Sequence, residues 1–568
     1  MPQFILLDHS LTSLGGHHYE YAIQILRAAR SAGFDLVLGC GDELSDWSEF
    51  PSARVFPVFG HTTYSRCGTM NHQRAPLRRL DAVRNPFPGR PLASLAGFVR
   101  HSGELIQDIK RRVAGPRERS SFVAACRKVF EQIDVSADDH IFVPTASEFD
   151  LGSLAEFLTE ADPAVRGAHW HVQFHLNFCE GREPTFANQR PRTAYLRGQV
   201  GAAAKRIGDV DTRFYVTTDQ LREQYRLLDL PNLQSLPYPA NPNCRPTPAT
   251  GRDRLRVVCA GRPRAEKGSR LLQTMIDAIW TEYLETNRVQ LIVQAAPNSL
   301  SLRLPDGRTP ATLNEQFEAD SAVAFAAYPL DVEAYAGLLQ CADIGLFLYD
   351  ADEYYARCSG VLVEMLACGK PVITPAACWL DEQMRDVNRA YVRKVIEDSS
   401  RELVALAARR ECSLQIPNGA TMLSVTIDPS GRPGRYWEVV VHQRDQRGMV
   451  TTSDTRVLGD ERGDAALFSR RGRSVTAVCQ ISPLDETGES APPISGHWLR
   501  RERPTPLGAI GQAADASHVA EALRDVVDHF PHYQSSAVGF ANSWRRRHAP
   551  MRTIEQLTGG AVAASRAA

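Results

Sequence analysis

The chain contains no stretch approaching the ~20 consecutive apolar residues that a membrane-spanning helix needs. Its opening, MPQFILLDHS, has only a short apolar run and no basic segment of the kind that directs secretion. A soluble cytoplasmic protein is expected. An excess of either charge is also missing, with 65 Lys and Arg against 66 Asp and Glu. No global attraction to nucleic acid or to an anionic membrane is therefore expected, and any such contact must be local. The 12 cysteines never occur as a Cys-x-x-Cys pair. Scattered in this way they fit free thiols in a reducing compartment better than a zinc ribbon or a disulfide framework. Internal repeats and long low-complexity tracts are absent as well.

What is present is length and rhythm. At 568 residues the chain exceeds what one hydrophobic core organises, so two or three domains are expected. Short apolar runs alternate with amphipathic segments from the start. Phe4 to Leu7 reads as a strand, His17 to Ala32 as a helix and Asp35 to Gly39 as a strand, the βαβ pattern of a parallel sheet. Between about Phe59 and Gln132 the pattern loosens into an Arg- and Pro-rich elaboration with helices expected at Ser94 to Val113 and Arg119 to Gln132. Alternation then resumes through Arg213 to Thr217. This makes residues 1–237 a first Rossmann-like lobe, and the Pro-dense segment 238–254 a linker.

A second lobe, residues 255–409, repeats the rhythm and includes strands at Leu255 to Ala260 and Ile344 to Tyr349 and a helix at Gly360 to Ala367. Over residues 410–506 the period changes from 3.6 to 2, in segments such as RYWEVVVHQ and SVTAVCQIS, which reads as a small all-β unit. Helical patterning returns at 507–540, so the β unit interrupts the lobe as an insertion at a loop. Residues 541–568 supply a last helix, expected to cross back to the first lobe, and a tail.

Two segments of the second lobe carry chemistry. In SGVLVEMLACGKPVITP, Ser359 to Pro375, a Ser-Gly turn opens a helix whose first free amides, near Gly360 and Val361, form an anion site. Glu364 follows just over a turn later, placed to accept hydrogen bonds from a ribose diol. In VVCAGRPRAEKGSRLL, Val257 to Leu272, a buried strand ends at Gly261 and is followed by Arg262 and Lys267 at the edge where open α/β sheets bind ligands. Either segment alone is compatible with an ordinary helix start or a solvated basic turn. Together they describe a site for a diphosphate leaving group, whose growing charge two cations can neutralise without a metal.

These motifs, VCAGRPRAEKG, YAGLLQCADIGLFLY and SGVLVEMLACGKPVITP, resemble the donor lobe of the family-4-type retaining glycosyltransferases. The first lobe is similar in order and spacing: GGHHYEYA stands at the glycine loop, FHLNF at the strand with a histidine, and RFYVTTDQLREQY before the linker. The resemblance implies a GT-B fold, an α/β architecture of two Rossmann-like lobes facing across a cleft, here with the added β unit. It further implies hexosyl transfer from a nucleoside diphosphate sugar, as co-substrate, to a glycan, a lipid-linked glycan or a small-molecule hydroxyl. Retention of configuration, independence from metal and the absence of a cofactor belong to the same implication.

Carried over residue by residue, Arg262 and Lys267 would bind the diphosphate and assist its departure, and Glu364 would hold the ribose. Ser359, Gly360 and Val361 would meet the phosphate. Gly15 and Gly16 would let the first-lobe loop approach the donor, and His175 would sit near the reacting carbon. The family commonly has a second Glu eight positions before the ribose-binding one, and here that position is Ala356. Asp352, Glu353 and Arg357 are the candidates for contact with the donor sugar instead.

Other readings stay open at this level. A GT-B epimerase or hydrolase of sugar nucleotides would add an acid/base pair drawn from Asp8, His9 and His175, and a non-catalytic GT-B scaffold would fit Ala356 and the insertion. His17, His18, His169, His171 and His175 lack acidic or Cys partners at metal-ligand spacing, so no metal site is expected. Basic residues from Arg74 to Arg90, at Lys110 to Arg112 and at Arg545 to Arg547 can serve as a solvated face or as a peripheral contact with the inner membrane surface. Tyr436, Trp437 and Trp498 of the β unit can be core or can stack on sugar rings.

Overall fold

The computed structural model describes residues 1–50, 52–62, 119–179, 181, 186, 189–247, 254–296, 299–398, 400–404, 411–427, 435–459, 464–470, 472–484, 494–500, 511–514 and 518–559. The expected helix Ser94 to Val113 and the basic stretch Arg74 to Arg90 lie outside the described residues, as does the tail beyond residue 559.

In the first lobe, β1 (Gln3–Asp8), β2 (Asp35–Gly41), β3 (Ala53–Phe59), β4 (His140–Val143), β5 (His169–Phe174), β6 (Thr212–Val216) and β7 (Leu233–Ser235) form one sheet in the order 3-2-1-4-5-6-7. All its pairings are parallel. Covered on both faces, such strands read as continuous apolar runs, and β1 is buried along its whole length. The covering helices include α1 (Gly16–Ser31), α2 (Glu148–Glu160), α3 (Arg190–Ile207) and α4 (Asp219–Arg226). α2 starts at a capping box in which Ser147 and Asp150 satisfy each other's backbone amides.

The second lobe repeats the plan. β8 (Leu255–Cys259), β9 (Val289–Gln294), β10 (Ala311–Thr312), β11 (Val323–Ala326), β12 (Ile344–Leu346) and β13 (Val372–Pro375) form a parallel sheet in the order 10-11-9-8-12-13. Its helices include α5 (Leu272–Ile279), α6 (Val332–Cys341), α7 (Gly360–Ala367) and α8 (Trp379–Glu397). The strand expected over Ile344 to Tyr349 ends at Leu346, because the chain there leaves the sheet to enter the cleft.

After α8 the chain builds two antiparallel four-stranded sheets from β14 (Ser400–Val404), β15 (Glu411–Gln415), β16 (Ala420–Ile427), β17 (Tyr436–Arg444), β18 (Val450–Gly459), β19 (Ala465–Ser469), β20 (Thr476–Pro483) and β21 (Ile494–Arg500). β14 pairs with β21, so this unit starts near residue 400 and not at 410. Trp437 and Trp498 are each 2% exposed and fill the core between the sheets with Leu423, Phe468 and Ile481. They are core residues and present no face to a sugar. The chain then returns as β22 (Gly511–Ala514), a seventh parallel strand beside β13, and as α9 (Val519–Asp528).

The return crossing is made by a continuous helix, α10 (Phe530–Arg547), followed by α11 (Pro550–Leu557). No break falls at 541: α10 packs on α7 of the second lobe and α11 on α1 of the first. Trp544 Nε1 donates to the Val363 carbonyl (2.9 Å), and His548 Nδ1 bonds the Tyr238 carbonyl (2.8 Å). Together these elements make a GT-B fold, two Rossmann-like lobes facing across a cleft, with an all-β unit inserted in the second. Among the described residues no helix is long and apolar enough to cross a membrane.

Candidate active site

Between the lobes lies a cavity of about 1180 Å³. Its walls come from the segments that follow β1, β5 and β6 in one lobe and β8, β11, β12 and β13 in the other, the carboxyl ends of both sheets. Strand order reverses beside β1 and β8, and such a crevice is where open α/β sheets hold ligands.

The cationic wall grows out of β8. Gly261 turns the chain with φ +86° and donates its amide to Gln294 Oε1 (2.7 Å). Residues 265–267 make a single 3₁₀ turn that Gly268 closes at φ +79°. A Cβ at Gly268 would stand 2.0 Å from the Leu348 carbonyl oxygen, so only glycine fits. The turn carries Lys267 back over Gly261 and toward the Tyr349 ring, whose centroid lies 5.2 Å from Nζ.

Arg262, Arg264 and Arg357 line the same cavity. Burial, and after it the nearby Arg264 and Arg357 guanidiniums, lower the Lys267 pKa to about 7. Glu266 lies 3.0 Å from Arg264, and Glu353 lies 4.0 Å from Arg357. Cations still outnumber carboxylates at this end, which suits a polyanion.

Helix α7 begins against this wall. Ser359 Oγ accepts from the Leu362 amide (3.3 Å), and Gly360 and Val361, at the free-amide end of the helix, face the cavity. Glu364 follows on the same helix, 5% exposed, with its pKa raised well above the carboxylate range by burial and then by Glu20; a hydrogen bond from Tyr335 opposes the rise. Arg262, Lys267, Ser359, Gly360, Val361 and Glu364 are thus gathered on one wall.

The loop between β12 and α7 divides its candidates. Asp350 Oδ1 accepts from the amides of Asp352 and Glu353, both at 3.1 Å, and this turn directs Glu353 and Arg357 into the cavity. Asp352 points outward, exposed and off the cavity wall. Ala356 is fully buried against the first-lobe core, and its carbonyl accepts a 2.6 Å hydrogen bond from Thr218 Oγ1. A Glu at this position would force its carboxylate into apolar packing, which accounts physically for the alanine.

The first lobe supplies Gly16, His17, Glu20 and His175. Gly15 and Gly16 both have positive φ, at 111° and 78°, but only Gly16 reaches the cavity wall. His175 Nε2 lies 3.2 Å from Gln173 Oε1, which also accepts from Tyr21 Oη (2.7 Å). Burial, chiefly, lowers the His175 pKa to about 4, so its imidazole is neutral near pH 7.

Asp8 and His9 stand elsewhere. His9 is fully buried 3.4 Å from Asp150, Asp8 lies 3.2 Å from His18, and neither lines the cavity. On β5, His171 meets His140 (3.1 Å) and Tyr215 (3.3 Å), and His169 meets Asp211 (2.6 Å). Among the described residues no group of three or more His, Cys, Asp or Glu has the placement of a metal site.

Several residues on the cavity wall were not singled out in the sequence. Arg264 and Tyr349 lie inside the quoted motifs, and Glu20 lies inside GGHHYEYA. Tyr335 opens the quoted motif YAGLLQCADIGLFLY, and Tyr238 opens the linker. The β unit adds Val457 and Leu484 to the wall beside Ala376. It is fastened there by α8: Arg385 bonds Asp381 (2.5 Å) and Tyr436 Oη (3.0 Å), Tyr436 Oη donates to Glu382 (3.0 Å), and Arg389 bonds Asp464 (3.2 Å).

No protein-family model and no curated protein matches the chain. Among solved structures it is similar to an α,α-trehalose-phosphate synthase from Burkholderia xenovorans in complex with glucose-6-phosphate, with TM-score 0.40, 12% identity, and 68% and 87% of the two chains covered. It is also similar to Anabaena HepE in complex with UDP (TM-score 0.35, 13% identity, 67% and 82% covered). A third likeness is to OtsA in its apo form (TM-score 0.37, 13% identity, 66% and 84% covered). The fold assignment rests on the two parallel sheets and their facing edges.

Proposed function

We propose that the chain is a glycosyltransferase that moves a hexosyl group from a nucleoside diphosphate sugar to an acceptor hydroxyl in the cleft, with retention of configuration and without a metal. The observation that carries this reading is the convergence of Lys267, Arg262, Arg264 and Arg357 on the N-terminus of α7, with Glu364 on the same helix. As the bond between the anomeric carbon and the diphosphate oxygen breaks, negative charge grows on the leaving phosphate. Fixed cations and helix amides stabilise that charge more than the ground state, which is the source of rate enhancement. The acceptor hydroxyl forms the new bond to carbon, and its proton passes to the departing phosphate oxygen, so no protein base is needed on the far face. Glu364 accepts from ribose hydroxyls, and neutral His175 hydrogen-bonds the sugar. A glycan, a lipid-linked glycan or a small molecule can supply the acceptor.

Transfer is favoured over epimerisation because His9 is held by Asp150, and Asp8 lies by His18, both off the cavity. It is favoured over a scaffold role because an inert cleft has no need to gather four cations on one wall, at the cost of their mutual repulsion. The test is incubation with a panel of sugar nucleotides, with and without candidate acceptors, followed by product analysis. Release of nucleoside diphosphate with a glycosylated acceptor supports the reading. An epimerised donor, or binding with no turnover for any acceptor, contradicts it.

A further inference from the structure

Among the described residues Glu20 is the one carboxylate on the first-lobe wall of the cavity. It sits on α1, one turn beyond Gly16. Its Oε2 is buried and has no hydrogen-bond partner among the described residues. A carboxylate oxygen without a donor in a desolvated place is costly, and such an atom beside a cavity marks a position where a ligand supplies the missing donor. Glu364 reaches the same cavity from the second lobe, with Tyr238 and Tyr335 beside it. The charge of Glu20 is felt by Glu364, Tyr238 and Tyr335 alike, so these groups share one small volume.

We infer that Glu20 is a second nucleoside-binding carboxylate, reaching from the first lobe to accept a hydrogen bond from a ribose hydroxyl or a base N–H while Glu364 holds the ribose from the second lobe. This inference rests on the donor-site reading above. Phosphates are excluded as partners for Glu20, because two acceptors repel and the cations that would mediate belong to the opposite wall. A nucleoside is rich in neutral donors, and two carboxylates on opposing lobes can bracket it. The consequence is that the nucleoside, and not the diphosphate, ties the two lobes together.

The experiment is isothermal titration of the full chain with UDP, GDP, ADP and dTDP and with inorganic pyrophosphate, for the unaltered protein and for Glu20→Ala and Glu20→Gln. Glu20→Ala should weaken the best-bound nucleoside diphosphate about tenfold or more, the usual loss for a hydrogen bond to a charged group, and leave pyrophosphate affinity unchanged. Glu20→Gln, which keeps the shape, should fall between, with an unaltered melting temperature.

The 2′- and 3′-deoxy forms of the nucleotide identify the donor group. A deoxy penalty that vanishes in Glu20→Ala assigns a ribose hydroxyl, and one that persists assigns a base N–H. Equal nucleotide affinity in Glu20→Ala and the unaltered protein overturns the inference, as does an equal loss of pyrophosphate affinity. Failure of the unaltered protein to bind any nucleoside diphosphate refutes the donor-site reading itself, and is thereby distinguished from failure of the role given to Glu20.

Discussion

Lys267 gives the most quantitative handle on the site. In the free protein its pKa is lowered to about 7, against an ordinary value of 10.5, by burial and by the adjacent Arg264 and Arg357. A diphosphate in the cavity places negative charge against the ammonium and raises that pKa back toward the ordinary range. Protonation and binding are therefore linked. Below pH 7 the lysine is already charged and affinity is at its full value. As pH rises through about 7 the free protein loses the proton, binding must recover it, and affinity falls about tenfold per pH unit until the pKa of the complex is reached.

Between pH 7 and pH 9 the loss amounts to about 50-fold, or about 2.3 kcal/mol, since half of the lysine is already neutral at pH 7. Titration calorimetry in buffers of different ionisation enthalpy reads the effect directly, as uptake of about one proton per nucleotide at pH 8. Burial raises Glu20 to about 7 as well, so Lys267→Arg, whose charge does not titrate in this range, isolates the lysine. That variant should lose the proton uptake. Affinity that stays constant from pH 7 to 9 with no proton uptake in the unaltered protein would show that Lys267 does not meet the diphosphate.

Three further outcomes follow from the packing. Gly268→Ala puts a methyl 2.0 Å from the Leu348 carbonyl oxygen at φ +79°, and should cost about 3 kcal/mol or more in urea unfolding and displace Lys267. Arg385→Ala removes the link between Asp381 and Tyr436 and leaves Asp381 buried without its partner; a loss of about 3 kcal/mol, with faster hydrogen exchange at the seam between α8 and the β unit, is expected. Thr218→Val deletes the hydrogen bond to the Ala356 carbonyl that joins the lobes. It should destabilise by about 1–2 kcal/mol and raise KM for the donor sugar more than it lowers kcat.

The site was legible where local chemistry and periodicity agree. α7 was read at its observed ends, Gly360 and Ala367, because Ser359 caps it and Gly369, at φ +69°, follows it. β1 was equally plain from the unbroken apolar run Phe4 to Leu7. α8 was not recognised, because part of its inner face is made of Arg385 and Arg389 bonding the β unit, where an amphipathic helix would show apolar residues. β22 escaped for a different reason. Its sequence is GQAA, with no apolar run, and a Cβ on Gly511 would meet the Val372 carbonyl oxygen at 1.7 Å. Asp352 and Glu353 are equivalent in sequence, and only the turn at Asp350 separates the outward side chain from the inward one. Glu20 becomes visible only when two lobes with no local sequence relation are set face to face.

The proposed function stands on the cations after β8 and the start of α7 acting together as a diphosphate site. A crystal structure of the full chain grown with a nucleoside diphosphate tests it most directly. Phosphate oxygens are expected within hydrogen-bond distance of Lys267 Nζ and of the Gly360 or Val361 amide, with the ribose at Glu364. A nucleotide bound elsewhere, or an empty cleft at millimolar nucleotide, would contradict it.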